Sequence, residues 1–212
     1  MPHVGCRAAG CVVASSSWGL PWSWLRRPRT LTRLLAALAA TCLLEGGARA
    51  ADEVRPSEYE VKAAFLFHFA RLTEWPPPAL PEGRPFVVAV LGRDPFGPAL
   101  DRVLEKQSAH GRPLEIHRAG SLEELPGGAH IVFIGAAHRT EVARILRRLA
   151  GRPVLTVGER DGFCEAGGVV NFLVTAEGRV RFEINLRTAE ASGLRMSSQV
   201  LKLARIVGQP PR

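Results

Sequence analysis

The sequence predicts an α/β protein: a single three-layer domain with a mainly parallel sheet flanked by helices and a C-terminal antiparallel β-hairpin. Three observations carry that prediction. Strand-like and helix-like segments alternate between residues 86 and 157, at the spacing of βαβ units. The first of these strands, Phe86–Leu91 (F-V-V-A-V-L), is a continuous apolar run rich in β-branched residues, as a strand covered on both faces requires. Near the C-terminus, residues 169–175 and 180–184 are separated only by Ala176-Glu177-Gly178-Arg179, a short glycine-containing turn that predicts a hairpin.

A chain of 212 residues with 46% hydrophobic content suits one globular domain, and excludes a disordered tail, a collagen-like chain and a small disulfide-stapled toxin. Charge is unevenly placed. Of 28 basic and 20 acidic residues, six Arg and one Glu lie in the first fifty positions, so the remainder holds 22 against 19. The basic balance of the whole chain therefore does not point to nucleic acid, and no nucleic-acid partner is expected.

Those first fifty residues read as a cleaved signal peptide, with the domain occupying residues 51–212. Arg26, Arg27, Arg29 and Arg33 precede an apolar run at 34–44, which leads through Gly46 and Gly47 to Ala48-Arg49-Ala50. Basic region, apolar core and an A-x-A site at Ala48 and Ala50 are the three parts of a secretory signal. The run is shorter than the roughly 20 residues that span a bilayer. Pro28 and Arg29 argue against a twin-arginine signal, and Thr41 before Cys42 against a lipoprotein site. Export implies a place outside the cytoplasm, away from ATP, genomic DNA and reducing buffer. Cys6, Cys11 and Cys42 leave with the leader, so Cys164 has no partner for an internal disulfide. It is either a buried small hydrophobe or an exposed thiol that pairs between chains.

Along the domain, Ser57 and Glu60 form a capping box that opens a helix to about residue 73. Val61, Ala64, Phe65, Phe69 and Leu72 share one face of it, and Leu66 and Phe67 lie off that stripe. The extra apolar side is either packed within the chain or used by a partner or second copy. Trp75-Pro76-Pro77-Pro78 ends the helix. After the strand at Phe86–Leu91, Asp94 before Pro95 fits an N-cap for a helix carrying Ala99, Leu100, Val103 and Leu104. A strand at 114–117, a second capping box at Ser121 to Glu124, a strand at 131–135, a helix at 140–149 and a strand at 154–157 follow. Residues 180–184 alternate cleanly, which predicts one wet face. A last helix, capped by Ser197 or Ser198, carries Val200, Leu201, Leu203, Ala204 and Val207.

No catalytic constellation assembles from the motifs. Gly92 and Gly97 do not make a dinucleotide-binding turn, no G-x-x-x-x-G-K-[ST] occurs, and no G-x-S-x-G marks a nucleophilic serine. His110, His117, His130 and His138 are scattered, without metal-ligand spacing. His68 reads as a core histidine. Cys164 as a catalytic thiol needs an oriented base, and His138 is the nearest histidine in sequence. No cofactor or metal is expected. Arg144, Arg147 and Arg148, with Arg139 and Arg152, give one helix a basic edge, which is a solvated face or a surface for anionic lipid or an acidic partner.

Lys62-Ala63-Ala64-Phe65 with Trp75-Pro76, then Gly92-Arg93-Asp94-Pro95-Phe96-Gly97, Gly167-Gly168 leading to Asn171-Phe172, Arg181-Phe182-Glu183-Ile184-Asn185, and the run from Gly193-Leu194-Arg195 through Met196-Ser197-Ser198-Gln199 to Val200-Leu201-Lys202-Leu203-Ala204 stand in this order. In these segments the chain resembles the YfiR family of exported bacterial proteins. The resemblance implies a periplasmic α/β protein without enzymatic activity that restrains an inner-membrane diguanylate cyclase of YfiN type. It also implies relief by an outer-membrane lipoprotein of YfiB type, a homodimer, and an effect against cyclic-di-GMP output and biofilm. YfiR-type proteins can carry a paired Cys before the Gly-Gly segment; Cys164 keeps one member here and residues 155–158 offer no partner, so redox control through that disulfide is not expected.

Three functional readings follow, in this order. The first is a periplasmic repressor of a membrane cyclase, with Leu66, Phe67, Arg144, Arg147 and Arg148 as its partner-binding residues. The second is a periplasmic small-ligand-binding protein feeding a different membrane sensor, with Arg93, Asp94 and His138 in a crevice where parallel strands end. The third is a thiol or hydrolytic enzyme around Cys164 and His138.

Overall fold

In the computed structural model, which describes residues 57–135 and 139–208, the first helix begins where Ser57 and Glu60 satisfy each other's backbone. Glu60 N–H donates to Ser57 Oγ at 3.3 Å, and Ser57 N–H donates to Glu60 Oε2 at 2.8 Å. Helix α1 runs Glu58–Leu72 and buries Lys62, Ala63, Leu66, Phe69 and Ala70. The inward stripe is thus rotated from the one predicted, because a lysine occupies an inward position through its ion pairs and displaces the apolar count. Leu66 lies at the centre of the stripe with no exposed surface. Its expected role at a partner surface is corrected accordingly: full burial of this side chain stabilises the fold by roughly 1.5–3 kcal/mol and leaves nothing to dock on.

Strand β1 (Thr73–Glu74) and a 3-10 turn at Pro77–Ala79 lead to β2 (Phe86–Leu91). There follow α2 (Pro98–Leu104), β3 (Ser108–Ala109), β4 (Arg112–Ala119), β5 (Ala129–Ile134), α3 (Arg139–Leu149), β6 (Leu155–Gly158), β7 (Val170–Val174) and β8 (Val180–Asn185). The chain closes with α4 (Leu186–Ala191), β9 (Arg195–Met196), α5 (Ser198–Leu201) and β10 (Arg205–Val207). One sheet has the order β10-β8-β7-β6-β5-β2-β4-β3, and β1 pairs with β9 beside it. Strands β4, β2, β5, β6 and β7 are mutually parallel, while β8 runs back along β7 as the predicted hairpin, with Val174 opposite Val180.

Alternation along the central strands separates two cores. Val88, Val90, Ile131, Phe133, Leu155 and Val157 face α1 and α2. Ala89, Leu91, Val132 and Ile134 face Val142, Ile145, Leu146 and Leu149 of α3. The β2-to-β4 crossover passes on the first side and the β5-to-β6 crossover on the second while the strand order advances in opposite directions, so one handedness serves both. The expected three layers result. Among the described residues no helix is long and apolar enough to cross a membrane.

Several local expectations change. Gly97, not Asp94, precedes α2, and Pro98 takes the first turn; Asp94 instead accepts from Phe96 N–H at 2.8 Å within the preceding turn. Glu124 binds Gly120 N–H at 2.9 Å and Ser121 Oγ at 3.1 Å, yet no helix follows, since Pro126-Gly127-Gly128 stops it. The last helix is only Ser198–Leu201, capped by Ser197. Residues 205–207 leave helical periodicity to pair in parallel with β8, so Val207 is a strand residue and Leu203 is 61% exposed.

Candidate interaction surfaces

The strand order reverses beside β2, so the loops leaving β2 and β5 flank the place where doubly wound sheets hold ligands. On the β2 side of that place the protein's own groups pair with one another. Asp94 Oδ2 accepts from Arg118 Nε at 2.7 Å, and Arg118 Nη2 donates to Asp101 Oδ2 at 2.6 Å. Hydrogen bonding from Arg118 holds the Asp101 carboxyl below the usual carboxylate range. The Arg93 carbonyl packs so closely on Gly135 that any Cβ there would overlap it. The Arg93 side chain is exposed. Asp94 is therefore a structural ligand of Arg118, which alters its predicted part in a crevice. His138, with Ala48, Ala50 and the whole predicted signal peptide, lies outside the described residues.

Two further polar groups sit deep in the molecule. Lys62, 2% exposed, is held by Glu58 and by Glu159 at 2.7 Å, and its ammonium lies 4.6 Å from the Tyr59 ring centroid. Burial opposes its charge, but the hydrogen bonds it donates to Glu159 and Glu58 outweigh that and raise its pKa above the ordinary lysine value. Helix α1 is thereby fastened to the end of β6. On the other side of the sheet, buried Glu183 accepts from Asn171 Nδ2 at 3.0 Å and is paired with Arg205. Asn171 Oδ1 accepts from Arg160 N–H at 3.0 Å, and Asn185 Nδ2 donates to the Cys164 carbonyl at 2.9 Å while its Oδ1 caps α4. The predicted wet face of β8 is covered at this point, because the 159–168 loop closes over it and Arg205 reaches Glu183 from neighbouring β10.

Cys164 has no exposed surface. Burial, with Glu183 nearby, pushes its thiol up to about 12, so the buried-hydrophobe alternative describes it and the exposed thiol does not. A thiol so protonated is a poor nucleophile.

What remains open lies on the outside. Arg144, Arg147 and Arg148 are exposed on α3, and among the described residues no carboxylate pairs with any of them. The opposite side of that helix is anchored by four buried aliphatic residues, so the cations stand on a fixed platform. Phe67 is half-buried, 5.5 Å from the Arg71 guanidinium. Val174 and Leu203, at 46% and 61% exposure, border a groove of about 680 Å³ along β8 and β10. Sequence periodicity hides that groove, because it places Leu203 on the inner side of a longer helix.

A family model whose description reads DUF4154: YfiR/HmsC-like matches residues 59–205. Among solved structures, an ABC domain from Streptococcus pneumonia, in complex with L-Trp, is similar at 11% identity and a TM-score of 0.44, over 68% of this chain and 60% of that one.

Proposed function

The chain belongs to the YfiR/HmsC-like family of periplasmic regulators of cyclic-di-GMP signalling, and from that premise we propose that it represses a membrane-bound diguanylate cyclase of YfiN type by binding its periplasmic portion. It acts without catalysing a reaction, lowers cyclic-di-GMP output and opposes biofilm formation. The observation that carries this reading is the rigid arginine face of α3, whose guanidiniums have no acidic partner among the described residues and suit an acidic protein surface. Repression requires only that the complex form better with the inactive cyclase. Moving that enzyme from 9:1 active to 1:9 needs about 80-fold preferential affinity, roughly 2.6 kcal/mol. A homodimer using the half-buried Phe67 side of α1, and relief by an outer-membrane lipoprotein of YfiB type, complete the proposed circuit.

The test is a binding titration against the cyclase's periplasmic portion with Arg144, Arg147 and Arg148 all changed to Glu. Exposed helix positions of this kind change stability little, so the variant keeps its circular dichroism spectrum and melting temperature while affinity falls tenfold or more. Unchanged affinity rejects the α3 face. The second reading, a small-ligand-binding protein feeding a different membrane sensor, is favoured by one observation, a cavity at the other end of the sheet.

A further inference from the structure

The parallel strands begin beneath a proline-rich strap, residues 76–85, and a cavity of about 430 Å³ lies between that strap and the turns entering β5 and β6. Its size is that of a small-molecule site. Pro85, Pro126 and Pro153 supply flat apolar wall, and Arg84 and Arg152 are its charged lining; no carboxylate contributes. Both arginines are exposed. Among the described residues the Arg84 side chain makes no hydrogen bond or ion pair, and Arg152 makes one, from Nη2 to the Gly127 carbonyl at 3.2 Å.

The strap is fixed in place from below. His130, only 5% exposed, accepts from Val87 N–H through Nδ1 at 3.0 Å and donates through Nε2 to the Ala79 carbonyl at 2.8 Å. Those two backbone partners specify the neutral imidazole with its proton on Nε2. Arg112 donates to the Leu80 carbonyl and, at 3.4 Å, to the Arg84 carbonyl. Prolines limit the strap's backbone further. A wall held this way does not have to be ordered when a ligand arrives, which removes part of the entropic cost of binding.

We propose that this cavity binds a small organic anion with a flat apolar body, its anionic group held by Arg84 and Arg152 and its body laid against the prolines. Charge fixes the sign: two cations, a neutral histidine and no acid favour an anion over a cation or zwitterion. The walls fix the body, because an inorganic ion would leave the apolar surface wet. The site lies at the opposite end of the strands from the Asp94–Arg118 tie, and it stands whether or not the cyclase is the partner.

The test is isothermal titration of the purified protein with 2-naphthoate, 2-naphthamide and inorganic phosphate, backed by amide-resonance mapping by NMR. Naphthoate binds in the micromolar to low millimolar range, the uncharged amide binds at least tenfold more weakly, and phosphate alone gives no saturable heat. Arg84→Glu and Arg152→Glu each weaken naphthoate at least tenfold while leaving the melting temperature in place. Shifted resonances cluster at residues 78–87, 126–130 and 152–154. Three results each overturn the proposal: no naphthoate binding at 10 mM, equal binding of the amide, or undiminished binding by the two arginine variants. Phosphate binding as tight as naphthoate overturns the apolar-body assignment. Because the experiment contains no cyclase, its failure leaves the repression reading untouched.

Discussion

Individual residues here obey their neighbours more than their type. Cys164, which the sequence leaves as either a buried small hydrophobe or an exposed thiol, is sealed on the inner side of the 159–168 loop, with its Sγ facing the Val169 and Glu183 carbonyls. A pKa near 12 predicts almost no thiolate at pH 8. Native protein should stay largely unlabelled by a disulfide reagent such as DTNB over an interval in which the urea-unfolded chain reacts fully; rapid native labelling contradicts the burial. His130 makes the complementary point for a base. Burial, the largest influence, lowers its pKa below the ordinary histidine value against the pull of its backbone hydrogen bonds. An unfolded histidine takes its proton near pH 6.5. Below that pH the unfolded chain therefore binds more protons than the fold, and the contribution of neutral His130, complete above pH 6.5, is lost as pH falls toward its depressed value. Between pH 7 and 5 the wild type should lose melting temperature more steeply than His130→Gln, whose amide can accept from Val87 and donate to Ala79 without titrating. Parallel slopes show that His130 is not responsible.

At the scale of elements, close approach matters as much as pattern. The Phe163 ring lies against Gly158 and Gly168, and a Cβ at either would penetrate it. Gly168→Ala should destabilise the protein by about 2 kcal/mol through overpacking, measured as a lower urea midpoint at constant m-value; an unchanged midpoint removes the ring-sandwich account. Elements whose signal is local are legible in the sequence alone. The Ser57–Glu60 box, the apolar run of β2 and the Gly178 turn fix backbone within a few residues, and α1, β2 and the β7–β8 hairpin stand where those signals put them. Elements whose signal is tertiary are not legible in that way. Residues 205–207 look helical until Arg205 meets buried Glu183, twenty-two positions away; β1 and β9 exist only because Thr73 and Met196 come together; and α4 rests on the Asn185 cap. The site is legible in the same measure. Amphipathic spacing reveals the α3 arginines, whereas buried Lys62 hides the inward stripe and so misplaces Leu66, and the cavity under the strap involves prolines from three distant turns.

The described domain is a doubly wound sheet with unlike ends. Where the strands finish, Arg118 pairs with Asp94 and Asp101, and Lys62 with Glu159, and these ties fasten the helices. Where they begin, cations face an open cavity, and across one layer the α3 arginines face outward. Such a distribution suits a protein whose output is an interaction, with its internal charges used for rigidity and its outward cations left for a partner. We propose that repression of a cyclase acts through that surface. It is tested most directly by measuring cyclic-di-GMP in cells that carry a YfiN-type cyclase from the same source, with and without expression of the full chain. Expression of the full chain should lower cyclic-di-GMP several-fold, and the Arg144, Arg147 and Arg148 to Glu variant, present at the same level, should not. An unchanged or raised cyclic-di-GMP level with the unaltered chain contradicts the account.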